Sequence, residues 1–287
     1  GTILPDIAEE IGLSPHTRVA CGGVDNACMA LGAVGAEAGR IYTSLGSSSW
    51  VPVNSSQPVL DVQKKPYVFA HIQEGMFTSA FSIFAGGSSF QWARDVLCCD
   101  LSEHAYDKMS QMAATVPVGS GGILFNPSLA GGTSQDKSIN IRGGYVGLSL
   151  STSRAAMVRA AMEGIAMNLK LSVNFLTQKT APVNEILFCG GGSRSKVWMQ
   201  MFADIFQKNI IKTNIDQDAA SLGAAAIAAK ACGIIPDYEV IPSLHRIEHI
   251  SIPDRERAAQ YEKIQPVFEH VSDVLADLGD YMADNLG

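Results

Sequence analysis

The feature that most constrains the fold of this chain is a short strand pattern that runs directly into glycine or serine, and it occurs three times. The three transitions are Cys-Gly-Gly-Val-Asp-Asn at 21–26, Thr-Ser-Leu-Gly-Ser-Ser-Ser at 43–49 and Phe-Cys-Gly-Gly-Gly-Ser-Arg at 188–194. Glycine has no Cβ, so the backbone can approach a bulky anion, and free N–H groups after a strand can bind phosphate oxygens. One such turn is weak evidence, but three together favour a nucleotide site.

Two common nucleotide-binding fingerprints are missing from the sequence. There is no G-x-x-x-x-G-K-[ST] motif, and no G-x-G-x-x-G motif follows a predicted strand. Both fingerprints depend on glycines at fixed offsets around the phosphates. We therefore expect neither a P-loop nor a Rossmann site.

The hydrophobic pattern predicts a layered α/β architecture, in which helices pack on a mixed sheet. Runs rich in β-forming residues predict strands at 17–21, 41–53, 67–72, 76–83, 123–125, 186–189 and 210–213. Helical spacing of apolar or small residues predicts helices at 5–11, 24–38, 87–98, 103–114, 152–176, 194–207, 218–232 and 254–285. The last of these helices contains Pro266, which predicts a kink.

Composition excludes several functional classes. Hydrophobic residues make up 47% of the 287 residues, which is enough to bury a sizeable core. The net charge of −7 lacks the overall basic character expected of a nucleic-acid-binding protein. No apolar run reaches the roughly 20 residues that a membrane-spanning helix needs. We expect neither a nucleic-acid partner nor a membrane.

The cysteines and histidines predict neither disulfides nor a metal centre. The six cysteines are an even number, which would allow all of them to pair in disulfides, but they include no C-x-x-C pair and the sequence shows no secretory signal. Buried free thiols and a cytoplasmic location are therefore the expectation. Among the six histidines only His245 and His249 are spaced by four residues. They lie in a proline-containing region, and we expect no metal site there.

Five segments, in matching order and spacing over roughly residues 1–235, resemble motifs of the FGGY family of carbohydrate kinases. They are 21–26 with 30–33 (the catalytic-aspartate segment), 44–48 (the phosphate-binding turn), 143–148 with 159–166 (the C-terminal signature), 190–195 with Trp198 and 203–204 (the adenosine motif), and 220–225 (a helix of small residues). The sequence departs from the family at Ala156 and at 131–133, which affects the choice of sugar. The Asp-x-Gly-Thr loop that opens the family's N-terminal domain is not found.

The resemblance implies an actin-like ATPase (ribonuclease H-like) fold and a sugar kinase activity. Residues 1–40 would be the tail of the N-terminal sugar-binding domain, and residues 41–287 the C-terminal nucleotide-binding domain. The implied reaction is ATP-dependent phosphorylation of a ketose or polyol, with Mg²⁺ bridging the phosphates. Xylulokinases are the subgroup with the greatest resemblance, so D-xylulose is the expected substrate. The chain itself would lack most of the N-terminal domain.

The same resemblance assigns the candidate site residues. Asp25 would be the general base that accepts the proton of the sugar hydroxyl, although an aspartate before a helical pattern is also a good N-cap. Gly46 and Ser47 would contact the β- and γ-phosphates, unless they form a plain hairpin turn. The adenosine and the α-phosphate would lie against the third transition, at Gly190, Gly191, Ser193 and Arg194, unless these residues serve strand–helix packing and capping.

Some residues of these motifs can also be explained by structure alone, and a second function is possible. Trp198 suits a core position better than adenine stacking, and Arg159 with Glu163 suits a salt bridge at the surface or at an interface. The long C-terminal helix could supply the interface of a homodimer. The competing functional hypothesis is a regulatory or non-catalytic nucleotide-binding member of the same fold, but such a protein needs no base at Asp25.

Overall fold

A mixed seven-stranded sheet organises the chain in a computed structural model, which describes residues 1–286. The strands are β1 Tyr42–Leu45, β2 Ser49–Ser55, β3 Tyr67–Ala70, β4 Phe77–Ile83, β5 Leu124–Asn126, β6 Gly144–Val146, β7 Glu185–Cys189, β8 Asn209–Thr213 and β9 Ile247–Ser251. The main sheet has the order β3-β4-β2-β1-β7-β8-β9, and β5 and β6 form a separate antiparallel pair.

The helices connect and cover these strands. They are α1 Pro5–Glu10, α2 Asp25–Val34, α3 Gly86–Leu97, α4 Ala105–Ala114, α5 Arg154–Lys179, α6 Lys196–Phe206, α7 Ala219–Ala231, α8 Ile241–Leu244 and α9 Arg255–Leu286. Across residues 1–286, no helix combines the length and hydrophobicity that crossing a bilayer requires.

Strand directions divide the sheet into an antiparallel half and a parallel centre. β1, β2, β4 and β3 pair antiparallel in succession, whereas β1, β7 and β8 are parallel neighbours. The predicted run at 41–53 is therefore two strands, because the chain reverses at residues 46–48 and pairs Leu45 with Ser49. Since β1 and β7 are parallel, the turns that follow them leave the sheet at the same edge, where ligands bind in open α/β sheets.

Helices cover both faces of the sheet. On one face, the long buried helix α5 packs with α3 and α6 over a core that includes Leu45 and Phe188. On the other face, α2 and α7 cover Tyr42 and Cys189. An odd number of positions separates them from Leu45 and Phe188 in the same strands, so their side chains point the opposite way. The sheet is therefore the middle of three layers, which agrees with the predicted α/β architecture of helices packed on a mixed sheet.

Helix α2 belongs to the segment assigned to the N-terminal domain, yet it packs closely against α7. A Cβ at Gly32 would overlap the carbonyl of Ala219, and one at Gly223 would overlap the carbonyl of Cys28. Only glycine lets the two helix backbones come this close. The domain boundary at residue 40 stays a prediction, but residues 25–34 share a core with the nucleotide-binding segment.

The secondary structure departs from the sequence prediction at residues 17–21 and at strand β9. Residues 17–21 form no strand, because Arg18 makes only an isolated bridge to Thr2 and the segment is mostly exposed. Strand β9 was not predicted, since its residues are mostly polar or exposed at the sheet edge. Helix α9 contains Pro266, as the predicted helix at 254–285 did. All six cysteines are free thiols, but the prediction that they are buried is wrong for Cys21, Cys99 and Cys232, which are exposed.

Candidate nucleotide site

Two of the predicted glycine turns meet at one pocket of about 760 Å³. The turn after β1, residues 46–48, contributes Gly46 and Ser47, and the turn after β7, residues 190–194, contributes Gly191, Gly192 and Arg194. We call them the β1 turn and the β7 turn. Residues from α3, α4 and α6 form the rest of the wall, among them Gly87, Phe90, Gln91, Arg94, Tyr106, Asp107, Ser110 and Trp198.

Both turns present backbone donors that the protein does not use. Across residues 1–286, the N–H groups of Gly46, Ser47, Gly191 and Gly192 donate to no protein acceptor. Ser47 and Gly191 are exposed. Four unpaired N–H groups on the wall of one pocket form an anion-binding arrangement, because each carries a partial positive charge that phosphate oxygens can satisfy.

The start of α3 holds the β1 turn in place. The N–H groups of Gly87 and Ser88 donate to the carbonyls of Gly46 and Ser47, both at 2.9 Å. The first N–H groups of a helix have no partner within the helix, so this contact satisfies them. With its carbonyls held from behind, the β1 turn is left with free N–H groups. Gly87 was not predicted as a site residue, although Gly86-Gly87 at a predicted helix start was a usable signal.

The β7 turn is held by different contacts. Gly190 has φ of 90°, which favours glycine, and a Cβ there would lie 2.9 Å from the carbonyl oxygen of Leu45. The carboxylate of Asp216 accepts hydrogen bonds from the Gly190 N–H at 2.9 Å and from the Ser193 hydroxyl at 3.2 Å. Gly190 and Ser193 therefore brace the turn and are not part of the pocket wall, whereas Gly191 and Arg194 are.

Aromatic side chains form the apolar part of the wall. The rings of Phe90 and Trp198 lie 4.8 Å apart, and Tyr106 stacks on Phe90 at 5.7 Å. Trp198 is buried and donates from Nε1 to the carbonyl of Met162 at 3.0 Å, so it is a core residue whose edge reaches the pocket. The guanidinium of Arg94 lies 5.1 Å from the centre of the Tyr106 ring. Nothing in the local sequence distinguished Arg94 and Tyr106 from ordinary helix residues.

Asp25 lies at the start of α2, exposed to solvent, and does not line the pocket. The N-cap position is occupied by Val24, so the interpretation of Asp25 as the cap is wrong; Asp25 is the first helical residue. Its Oδ1 accepts from the N–H of Asn26 at 2.8 Å. Burial raises the pKa of the Tyr42 hydroxyl, and the negative charge of Asp25 adds a smaller part of that rise.

The ion pair of Arg159 and Glu163 is buried, so the prediction of a surface or interface salt bridge is wrong. Arg159 Nε donates to Glu163 Oε1 at 2.7 Å, and Tyr261 of α9 donates to the same oxygen at 2.7 Å. Glu163 also accepts from the Gly119 N–H and the Ser120 hydroxyl. Helical spacing of four predicted the pair but carried no information on what would cover it.

No built metal centre is present in the part of the chain that the structure describes: no three or more His, Cys, Asp or Glu residues converge there. A magnesium ion in a kinase is commonly held by substrate phosphates, waters and one or two carboxylates. The pocket's donors suit the phosphates, and Asp25 is an exposed carboxylate. These residues fit a metal that arrives with a nucleotide and do not fit a resident ion.

Comparison with known proteins gives consistent matches. The family model for the C-terminal domain of the FGGY family of carbohydrate kinases matches residues 41–232. A xylulose kinase of Bacillus subtilis (strain 168) is 31% identical over 267 residues, 93% of this chain and 51% of its own length. A gluconokinase of the same organism is 28% identical over 288 residues, 98% of this chain and 56% of its own length.

Solved structures agree with these matches. The crystal structure of ligand-bound xylulose kinase from Lactobacillus acidophilus has a TM-score of 0.87 and 26% identity, covering 96% of this chain and 56% of that one. Kinases of this family have the actin-like ATPase fold, so the predicted fold class is confirmed. The chain spans about half the length of the curated relatives it matches.

Proposed function

Because this chain belongs to the FGGY family of carbohydrate kinases, we propose that the whole protein transfers the γ-phosphoryl group of ATP to a sugar hydroxyl. The observation that carries the proposal is the convergence of the β1 and β7 turns, with four unpaired N–H groups, on one pocket with an aromatic wall. A phosphoryl-transfer site works mainly by positioning and by electrostatic stabilisation, and such donors supply both.

The two turns and Arg194 hold different parts of the nucleotide in this proposal. The N–H groups of Gly46 and Ser47 bind the β- and γ-phosphates, and the Ser47 hydroxyl adds a donor. Gly191 leaves room for the α-phosphate and adenosine, since a Cβ at that position would have no protein atom within 4 Å. Arg194 is exposed at the rim and can pair with a phosphate.

Asp25 acts as the general base in this proposal. Its carboxylate takes the proton of the sugar hydroxyl as the hydroxyl oxygen forms a bond to the γ-phosphorus, and the bond to the β–γ bridging oxygen breaks to release ADP. Exposure leaves the carboxylate free to meet a substrate. Mg²⁺ bound to the phosphates would neutralise charge that develops on them.

The proposed substrate is D-xylulose. The resemblance to xylulokinases supports it, and so do the relatives and the solved structure that are named xylulose kinase. Gluconate is the competing substrate, because a relative of similar identity is named gluconokinase. Both are polyhydroxylated five- or six-carbon compounds, but gluconate carries a carboxylate that needs a cationic partner.

ADP release by the full-length protein tests the proposed function and the substrate together. We expect MgATP-dependent turnover of xylulose, with gluconate at least about tenfold poorer in kcat/KM. Preference for gluconate would replace the substrate and keep the reaction class. Tight ATP binding without turnover of either compound, or of a wider ketose and polyol panel, would support a non-catalytic nucleotide-binding protein instead.

We also propose a homodimer formed through the exposed face of α9. Val267, Val274, Leu278 and Tyr281 are each about half or more exposed and lie on one stripe of the helix. Two antiparallel copies centred on Val274 would place Val267 opposite Tyr281 and bring Lys263 towards Asp284, so the stripe is self-complementary. Light scattering should give a dimer mass that Val274→Asp reduces to the monomer mass; a monomeric wild-type protein would contradict the proposal.

A further inference from the structure

We propose that Asp216 is a positioning residue that sets the shape of the β7 turn for its ligand. The inference rests on the proposed function, in which that ligand is ATP. Asp216 itself does not line the pocket, so it would act on the nucleotide only through the turn. It lies in a short helical segment, residues 216–218, between β8 and α7.

One carboxylate oxygen of Asp216 joins the first and the fourth residues of the β7 turn. Oδ1 accepts from the backbone N–H of Gly190, the first residue of the turn, at 2.9 Å. The same oxygen accepts from the hydroxyl of Ser193, three residues later, at 3.2 Å. Hydrogen bonds to an ionised acceptor are stronger than neutral ones, so this clamp resists opening of the turn.

Between the two clamped residues lie the groups that would meet the nucleotide. The N–H groups of Gly191 and Gly192 have no protein acceptor among the described residues, and both glycines line the pocket. Glycine is the most flexible residue, so two glycines in succession hold no direction by themselves. Clamping residues 190 and 193 fixes both N–H vectors before the ligand arrives, which lowers the entropic cost of binding.

The surroundings of Asp216 support a dedicated role. Its φ of 23° is unfavourable for a residue with a side chain, so the surrounding structure holds it in a strained conformation. The ammonium of Lys212 lies 3.6 Å from Oδ2, on the oxygen that does not bind the turn. Lys212 also pairs with Glu248 at 3.0 Å, which anchors this cluster to strand β9.

Three substitutions in the full-length protein separate the clamp from its alternatives. Asp216→Ala removes the acceptor, and we expect the dissociation constant of MgATP to rise about tenfold or more. Asp216→Asn keeps an oxygen acceptor at the same place and should stay within about threefold of wild type. The matched control is Asp218→Ala, which removes the same charge two residues away, where the described structure gives the side chain no hydrogen bond.

Calorimetric titration with MgATP is the primary measurement, and thermal denaturation is run beside it. Steady-state kinetics should show a raised KM for ATP in Asp216→Ala, with kcat at saturating ATP and KM for the sugar nearly unchanged. A merely structural role would lower the melting temperature of Asp216→Ala and leave MgATP affinity intact well below that temperature. Equal affinity in Asp216→Ala and wild type would overturn the inference.

If Asp216→Ala does not fold, Ser193→Ala tests the role of the clamp instead. It removes one of the two clamp contacts and should raise the dissociation constant of MgATP about threefold. In the double variant Ser193→Ala with Asp216→Asn, this constant should be no higher than in the weaker-binding of the two single variants. Unchanged affinity in Ser193→Ala would count against the clamp. Failure of the wild-type protein to bind MgATP would instead overturn the proposed function.

Discussion

At the scale of single residues, Gly190 and Gly191 are adjacent but have different constraints. Gly190 needs its positive φ and its close approach to Leu45, whereas Gly191 faces open space in the pocket. We expect Gly191→Val to fold normally and to weaken MgATP binding at least about tenfold, because the branched side chain occupies ligand space. Gly190→Val should lower the melting temperature, because the strain falls on the fold.

Titration calorimetry and thermal melts on the two variants test this contrast. A Gly191→Val protein that binds MgATP like wild type would place the nucleotide elsewhere. A Gly190→Val protein that melts like wild type would show that the backbone can relax around Leu45.

Asp25 allows a second residue-scale prediction, on the full-length enzyme. Asp25→Asn keeps the shape and removes the base, so turnover should fall at least about 100-fold while binding of sugar and ATP changes little. Since Asp25 is an exposed first-turn residue and not the cap, the free energy of unfolding should change by less than about 1 kcal/mol. Steady-state kinetics beside a denaturation curve measure both effects, and a stable variant keeping more than about a tenth of its turnover would exclude a general base.

At the scale of elements, the ion pair of Arg159 and Glu163 ties three helices together. Arg159 donates to the last turn of α4 at Ala113 and to Tyr261 of α9, while both charges lie on α5. Helix α4 is part of the pocket wall, so this buried cluster supports the site from behind.

We expect Glu163→Gln to lower the free energy of unfolding by roughly 3 kcal/mol, because it leaves a buried guanidinium without its counter-ion. The double substitution Arg159→Met with Glu163→Leu should recover only part of that loss, since it removes both charges but leaves the Gly119 N–H and the Ser120 hydroxyl without their acceptor. Urea denaturation of the two variants measures the difference. A double variant less stable than Glu163→Gln would contradict this account.

His245, in the connection between α8 and β9, makes the stability of the fold depend on pH. Its Nε2 lies 2.8 Å from the carbonyl of Gly32, to which it donates, and its Nδ1 lies 3.0 Å from the Thr213 hydroxyl. Burial lowers the pKa of His245, and the nearby charge of Arg40 lowers it further. The unfolded chain therefore binds this proton more readily, and stability falls as the pH drops below about 6.5.

We expect the melting temperature to fall between about pH 7.5 and about pH 5.5, and to fall less in His245→Gln, whose amide can still donate to Gly32. Burial also lowers the pKa of His71, so part of the wild-type pH dependence should persist in that variant. Thermal melts across this range test the expectation. Parallel curves for wild type and His245→Gln would remove His245 as a source of the pH dependence.

At the scale of the whole molecule, the 287-residue polypeptide should bind MgATP weakly and phosphorylate no sugar. Its relatives align with it over only about half of their length, and in a two-domain kinase closure around both ligands assembles the active site. Titration with MgATP and an ADP-release assay with xylulose measure the two properties on the same preparation. Robust sugar turnover by this polypeptide alone would overturn the prediction.

The sequence by itself determined the α/β class, most element positions and the two turns that meet at the pocket. Helix α5 and strand β7 were predictable because buried elements carry regular apolar patterns. The turns were predictable because glycine after a strand has a local backbone cause. Strand β9 was not, since an exposed edge strand has no such pattern.

Only the tertiary structure decided which residues distant in sequence come together at the site and which contact each of them makes. Asp216, 26 residues after Gly190, braces the β7 turn; Arg94 and Tyr106 complete the wall; and Glu163 is buried. An acidic or aromatic residue has the same local signature whether it is exposed or clamped inside, because burial depends on which elements the sheet brings together. Local sequence sets backbone conformation, whereas long-range packing sets which side chains meet.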